Sequence, residues 1–251
     1  MAINLKSLSK PDGSRPIIAT LFGEGGMGKT TLAAMFPKPV FIRTEDGTAS
    51  LVGNDGVSLF PLSTSSQDVL DAIEALATEK HEFKTLVIDS ITQLATLIES
   101  EIVASDPKAK SINQAGGGYG AGYSTAAEKH RQVREWAGSL AYERGMNVIF
   151  IGHADTETMD LPDMDAFARY TVRMHKKSIP HYTDNVDLCG LIRLKTFVRT
   201  GDGDKKRAIS TGEREIICFP QASSVTKNRF NITEPLPFNF DGNPFSKFLA
   251  E

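Results

Sequence analysis

The chain has 251 residues, enough for one domain of ordinary size with a substantial hydrophobic core. With 40% apolar and 24% charged residues, its composition is that of a soluble globular protein. No run is long and apolar enough for a signal peptide or a membrane span, so we expect no membrane partner and a cytoplasmic location. The two cysteines, Cys189 and Cys218, are too few for a disulfide framework, and their apolar surroundings predict burial.

The net charge of −3 conceals a basic segment. Between Arg169 and Arg229 stand thirteen lysines and arginines but only six acidic residues, so the rest of the chain is acidic. A basic patch on an acidic protein indicates a polyanionic partner, and nucleic acid is the obvious candidate. A solvated basic face is the alternative, and charge alone favours it.

Apolar strands alternate with helices over the first 155 residues. In chain order, the patterns predict strands at 15–23, 39–47, 84–90 and 146–155, and helices at 30–35, 65–80, 91–105 and 124–145. Strands rich in Val, Ile and Leu that alternate with helices form mainly parallel sheets with both faces covered. The predicted fold class is therefore α/β, with a mainly parallel sheet flanked by helices.

After residue 185 the helical patterns stop. Short strands at 186–200, 205–210 and 214–220 are joined by turn sequences, which predicts an antiparallel extension of the sheet. Two segments, 113–124 and 154–184, have no clear periodicity, and we expect them to be loops. Trp136 falls on the apolar side of its helix, which predicts a position in the core.

The stretch GEGGMGKTT, residues 23–31, lies between the first strand and the first helix. In the pattern G-x-x-x-x-G-K-T, glycines let successive backbone N–H groups point at the β-phosphate. Lys29 places a cation on the β- and γ-phosphate oxygens, and the Thr30 hydroxyl binds Mg²⁺. The predicted ATP site includes Gly23, Glu24, Gly25, Gly26, Met27, Gly28, Lys29, Thr30 and Thr31.

Acidic residues that follow two other predicted strands extend this site. Asp89 ends a buried strand sixty residues after Lys29, where an acid holds Mg²⁺ through water. Capping of the next helix is the alternative, although Ser90 serves that cap equally well. Glu45 ends the second strand, where a carboxylate polarises the water that attacks the γ-phosphate. Asp46 is the other candidate for this role. The alternative for Glu45 is an acidic turn residue without a catalytic role.

Four stretches in this order, GEGGMGKTT, VFIRTEDG, TLVIDS and VIFIGHAD, resemble the core of the RecA-like ATPases, in particular the RadA group. TKNRFNI (Thr226–Ile232) resembles the KNRF motif of RadA-type proteins, with Asn231 where that family usually has glycine. The resemblance covers residues 15–235 of a chain that we interpret as one domain, 1–251. The chain is also similar to phage-encoded proteins built as a lone RecA core, some of which anneal single strands.

The resemblance implies roles for further residues. His153 would sense the nucleotide, unless its ring is satisfied by a neighbouring backbone group. The segment after it would bind single-stranded DNA or close over the nucleotide as a lid. Its cations are Arg169, Arg173, Lys176 and Lys177. Lys227 and Arg229 would stabilise the transition state on the ATP of an adjacent subunit, or contact DNA phosphates instead.

The resemblance therefore implies a Mg²⁺-dependent ATPase that binds single-stranded DNA and promotes recombination or strand annealing. It would work as a homo-oligomeric ring or filament, with a single-strand binding protein as a further partner. A small-molecule kinase explains the phosphate loop and Asp89, but it needs a lid of paired arginines. A regulatory nucleotide-binding module without turnover explains everything except Glu45.

Overall fold

The computed structural model describes residues 15–200 and 206–249. Its architecture is built on a central sheet of buried, apolar strands. In chain order, the strands and helices are β1 (Ile18–Gly23), α1 (Lys29–Ala34), β2 (Pro39–Arg43), β3 (Ser58–Leu62), α2 (Ser66–Thr78), β4 (Thr85–Asp89), α3 (Ile91–Ser105), α4 (Ala121–Glu143), β5 (Asn147–Leu161), β6 (Met164–Val172), α5 (Ile179–Thr183), β7 (Leu188–Thr200), β8 (Lys206–Ile217), β9 (Lys227–Asn228) and β10 (Leu236–Phe238).

The central sheet confirms the predicted α/β class. Its strand order is β3-β2-β4-β5-β1-β7-β8-β10, and the six strands from β3 to β7 run parallel. β8 and β10 continue the sheet in antiparallel pairing, as the turn signals after residue 185 predict. Since parallel strands end at the same edge, the carboxyl ends of β1, β2, β4 and β5 meet there.

Two hydrophobic layers cover the two faces of the sheet. Along β1, Ile18 and Phe22 pack into the layer formed with α2, α3 and α4. Leu21 faces the other layer, which contains α1 and C-terminal aromatic residues such as Phe238. Burial of each such side chain contributes about 1.5–3 kcal/mol, so both layers hold the strand ends in position.

Local signals determine where the helices begin. Ser65 and Asp68 form a reciprocal capping box at the start of α2, and Val69 and Ile73 of that helix are buried as predicted. Ser90 accepts a hydrogen bond from the Gln93 backbone N–H and so caps α3. Because Ser90 serves this cap, the side chain of Asp89 is available for the nucleotide site.

The prediction of a loop at 154–184 is wrong. β5 continues beyond the sheet to Leu161 and pairs with β6 as an antiparallel hairpin, and α5 follows. Most of the hairpin side chains are exposed or half-buried, so the apolar alternation typical of a strand is missing. The segment 113–124 is only partly a loop, since residues 115–117 form a 3-10 turn and α4 begins at Ala121.

Three other predictions concern single positions. Trp136 is 40% exposed rather than buried, because α4 turns Val133 and Ala137 toward the sheet. Cys189 and Cys218 are buried free thiols, as expected, and burial raises the pKa of both to about 12. Asn231 adopts φ 56°, a left-handed conformation that asparagine tolerates, in the place where the related motif has glycine.

Candidate functional site

The phosphate loop leaves the carboxyl end of β1 and turns directly into α1. Gly26 and Gly28 have φ values of 75° and 89°, which L side chains rarely adopt. A Cβ atom on Gly28 would clash with the ring of Phe240, and one on Gly23 would clash with the Ile192 carbonyl oxygen. Glycine is therefore favoured at Gly26 by its conformation, at Gly23 by the lack of space for a Cβ atom, and at Gly28 for both reasons.

Lys29 is the buried cation of the site. Its side chain is 6% exposed, and its ammonium donates to the carbonyl oxygens of Gly23 at 3.0 Å and Glu24 at 2.8 Å. Burial lowers the pKa of Lys29, while the charges of Asp89 and Glu45 oppose this shift. A buried ammonium held by neutral carbonyls fits a phosphate group, whose negative charge would offset the desolvation.

Thr30 and Asp89 come together as the sequence predicts for a metal site. The Thr30 hydroxyl donates to an Asp89 carboxylate oxygen at 2.7 Å. Burial raises the pKa of Asp89, whereas the Thr30 hydrogen bond opposes this rise. Within residues 15–200 and 206–249, no cluster of three or more His, Cys, Asp or Glu residues is arranged to hold a metal by itself. The pair therefore fits Mg²⁺ that is shared with phosphate oxygens.

Glu45 and His153 form a pair across the mouth of the site. His153 Nε2 lies 3.2 Å from Glu45 Oε1, and this hydrogen bond is the main reason why the pKa of Glu45 is lowered. An ionised carboxylate only accepts, so Nε2–H of the ring donates. The ring of His153 thus contacts a side chain rather than the neighbouring backbone. Glu45 stays ionised at neutral pH and can accept a proton.

The cavity enclosed by these groups has a volume of about 340 Å³. Its lining comprises Gly25, Gly26, Gly28, Lys29, Thr30, Thr31, Glu45, Gly47, Asp89, His153 and Phe240. Asp46 does not line it, and its side chain is 76% exposed near Arg43. Glu24 and Met27 border a neighbouring cleft of about 480 Å³ instead.

Two residues of this region are not predicted from the sequence. Phe240 lines the cavity against Gly28, with its ring 39% exposed, and Arg214 of β8 stacks over it at 4.7 Å from the ring centroid. Both come from the C-terminal third, and only the pairing of β10 with β8 brings them to the phosphate loop. The one sequence signal was an aromatic-rich stretch, PFNF, after the last predicted strand.

The structure separates the four cations predicted to bind DNA. Arg169 pairs with Glu157 across the β5–β6 hairpin at 2.7 Å, and Lys177 donates to the Ser124 hydroxyl at 2.8 Å. Lys176 is exposed between β6 and α5. Arg173 lies beside the phosphate cavity, where its backbone N–H donates to the His153 carbonyl at 2.8 Å.

Lys227 and Arg229 lie at the opposite end of the sheet from the phosphate loop. Asn228, between them, pairs with Leu188, which is in register with Ala19 near the start of β1. The phosphate loop begins four residues further on, roughly 13 Å away. The Lys227 ammonium donates to the Asp184 carbonyl at 2.5 Å, and the Arg229 guanidinium to Asp187 at 2.9 Å.

The fold and this site together define a P-loop nucleotide-binding protein. The family model of the AAA domain matches residues 15–230, and the chain belongs to this AAA domain family. The AAA domain is an ATP-binding domain of the ATPase class, which agrees with the arrangement of Lys29, Thr30 and Asp89. No curated protein matches the chain. In the described part of the chain, no helix is both long and apolar enough to cross a membrane.

Proposed function

We propose that this protein is a Mg²⁺-dependent, DNA-stimulated ATPase of the RecA-like type, which binds single-stranded DNA and promotes recombination or strand annealing. One observation carries the proposal. β5 runs from the nucleotide site at His153 without a break into the hairpin that leaves the sheet and carries Arg169 and Tyr170. A change at the γ-phosphate therefore has a direct covalent route to a surface suited to DNA.

The chemistry follows from the residues in the cavity. Glu45 accepts a proton from the water that attacks the γ-phosphorus, while His153 holds the carboxylate in place. A bond forms between the water oxygen and the γ-phosphorus. The bond to the bridging oxygen breaks, and its electron pair leaves with ADP. Lys29 stabilises the phosphate oxygens, and bound Mg²⁺ would neutralise developing charge beside Thr30 and Asp89.

The cleft of about 480 Å³ supports single-stranded DNA as the partner. It lies between the β5–β6 and β7–β8 hairpins, and the phosphate-loop residues Glu24 and Met27 form its inner end. Tyr170 offers a half-buried ring on which bases can stack, and Arg169, Lys176 and Lys177 supply cations around the hairpin. Bases stack with little sequence preference, so the proposed binding is not sequence-specific.

An oligomer is part of the proposal. Lys227 and Arg229 cannot reach the ATP of their own subunit from the other end of the sheet. In a ring or filament, that end of one subunit faces the phosphate loop of the next, and the two cations would stabilise the transition state there. A single-strand binding protein is proposed as a further partner, and the cytoplasm as the location.

The test is the ATPase rate of the purified chain with and without a single-stranded oligonucleotide. We expect DNA to raise the rate, and Lys29→Ala to abolish nucleotide binding without lowering the melting temperature. Turnover that DNA does not alter, although the oligonucleotide binds, would contradict the DNA-stimulated function. ATP binding without turnover would support a regulatory module, and phosphate transfer to a small acceptor a kinase.

The DNA surface is tested separately through salt. Replacing Arg169, Lys176 and Lys177 by alanine should weaken binding and reduce the slope of log affinity against log salt by about 0.7 for each DNA phosphate that the variant no longer neutralises. A slope unchanged in the triple variant would place the DNA elsewhere on the molecule.

A further inference from the structure

Arg173 is held by contacts with His153 and Ala154 at the nucleotide site, and not by the outer part of the β5–β6 hairpin. It follows β6 directly, at the point where the hairpin rejoins the sheet. Its backbone N–H donates to the His153 carbonyl at 2.8 Å, and its guanidinium donates to the Ala154 carbonyl at 3.0 Å. His153 is in register with Gly23, where the phosphate loop begins, and it lines the phosphate cavity, so Arg173 lies directly beside that cavity.

The guanidinium of Arg173 keeps most of its hydrogen-bonding capacity. Arg169, which lies on β6 itself, already pairs with the carboxylate of Glu157. In the described part of the chain, by contrast, Arg173 donates one side-chain hydrogen bond, and its acceptor is a neutral carbonyl. A guanidinium offers five N–H donors in a planar fork that matches phosphate oxygens. After burial, which is the main cause, the positive charge of Arg173 also contributes to the lowered pKa of Lys29.

We propose that Arg173 contacts the γ-phosphate of ATP bound in its own subunit, as an arginine finger supplied in cis that also anchors the β5–β6 hairpin to the nucleotide. The inference rests on the proposed ATPase function. Arg173 transfers no proton. It stabilises the negative charge on the γ-phosphate oxygens while the bond to the bridging oxygen breaks and Glu45 takes the proton of the water. Hydrolysis removes this contact and releases the hairpin.

The contact is tested by comparing the affinities for ATPγS and ADP, without DNA and with Mg²⁺. Arg173→Gln keeps a side-chain donor for the Ala154 carbonyl but removes the charge. We expect it to weaken ATPγS binding about tenfold or more, with ADP binding unchanged, since a hydrogen bond to a charged group contributes at about this level. Arg173→Lys should recover part of the difference.

Arg144 provides a matched control. It is also exposed and donates to a backbone carbonyl, that of Glu79 at 2.5 Å, but it precedes β5 at the other end of the strand. Arg144→Gln should leave the ratio of the two affinities unchanged. Melting temperatures of all variants check that the fold is intact.

Each outcome is decisive. A ratio of ATPγS to ADP affinity in Arg173→Gln equal to that of the wild type overturns the proposal. If DNA affinity and its salt slope fall in that variant while the ratio stays constant, Arg173 is a DNA contact. If the wild-type protein binds neither nucleotide, the ATPase function itself is wrong. Loss of ATPγS affinity with unchanged DNA affinity in the absence of nucleotide supports the proposal.

Discussion

At the scale of single residues, the carboxylate of Glu45 is the group on which the proposed hydrolysis depends. It lines the cavity with Lys29 and Asp89, and the hydrogen bond from His153 keeps it ionised. Asp46, the neighbouring acid, lies outside the cavity lining and near Arg43. The geometry therefore favours Glu45 as the general base over its neighbour.

Glu45→Gln should keep ATP binding and slow turnover by about 10²–10⁴-fold, because the amide cannot accept the proton of the attacking water. Steady-state ATPase rates and nucleotide affinity measure the two effects separately. Asp46→Asn is the matched control and should remain near wild type. If Asp46→Asn is the slow variant instead, the base is misassigned.

His130 is a second residue whose charge state matters, although it lies away from the nucleotide. It is 1% exposed, and its Nδ1 is 2.9 Å from the Tyr182 hydroxyl. Burial, and to a lesser extent the charge of His181, lowers the pKa of His130 to about 3 from its ordinary 6.5. The folded state therefore excludes a proton that the unfolded chain binds below pH 6.5.

Stability should consequently fall as the pH drops from about 6.5 toward about 3. Lowering the pH from 7 to 5 should reduce the free energy of unfolding by about 2 kcal/mol through this single group. Urea denaturation of the wild type and of His130→Gln at several pH values measures the effect. The variant should show a flatter dependence on pH, and two parallel curves would contradict the assignment.

At the scale of elements, the C-terminal segment completes the nucleotide cavity. β10 pairs with β8, so Phe238 is buried and its neighbour Phe240 lies on Gly28 at the start of α1. The two rings are 4.7 Å apart between centroids, and Arg214 stacks on Phe240. We therefore expect this half-exposed ring beside the phosphate loop to stack on the base of the nucleotide.

Phe240→Ala should weaken ATP binding about tenfold, since stacking of a base on an aromatic ring contributes about 1–3 kcal/mol. Binding of tripolyphosphate, which has no base, should not change. Phe197→Ala serves as the control, because that ring is 52% exposed on β7 and does not line the cavity. Equal losses for ATP and tripolyphosphate would show that Phe240 only supports the phosphate loop.

The β5–β6 hairpin is the element that connects the two proposed ligands. Its stem joins the sheet at Ala154 and Val172, next to His153 and Arg173, and its outer part carries Arg169. A displacement at the stem would therefore be transmitted along two hydrogen-bonded strands. A loop at the same place, which the sequence pattern indicates, would not transmit it in this way.

At the scale of the whole molecule, the phosphate cavity and a group of cations lie at opposite ends of the sheet, an arrangement that suits the proposed head-to-tail assembly. The phosphate cavity lies at the carboxyl end of the parallel strands, and Lys227 and Arg229 lie at the other end. Asp187 accepts from Arg229 and also pairs with Arg15, so this end holds a cluster of fixed cations. Head-to-tail stacking would bring such cations to the ATP of the next subunit.

Mixing Arg229→Ala with Lys29→Ala protein tests this arrangement. Each variant should be inactive alone, whereas roughly a quarter of the interfaces in an equal mixture pair an intact phosphate loop with an intact finger. We therefore expect partial recovery of ATPase activity. Mixtures that co-assemble but recover nothing would contradict the in-trans role, and the cations would then be assigned to DNA phosphates.

Local and nearly local signals were sufficient for much of this molecule. The phosphate loop was predictable because its groups come from nine consecutive residues between a strand and a helix. That Asp89, Glu45 and His153 line one cavity was predictable because parallel strands end at one edge, so strand-end residues converge there. The same apolar runs predicted the α/β class and the antiparallel extension.

Tertiary structure decided what depends on pairing between distant segments. The β5–β6 hairpin forms through cross-strand contacts such as Glu157 with Arg169, and its exposed faces remove the apolar alternation from the sequence. Trp136 is exposed because the rotation of α4 depends on its packing partners rather than on its own pattern. Phe240 and Arg173 come close to the phosphate loop and to His153 only through strand pairing across the sheet, which has no signature in the local sequence.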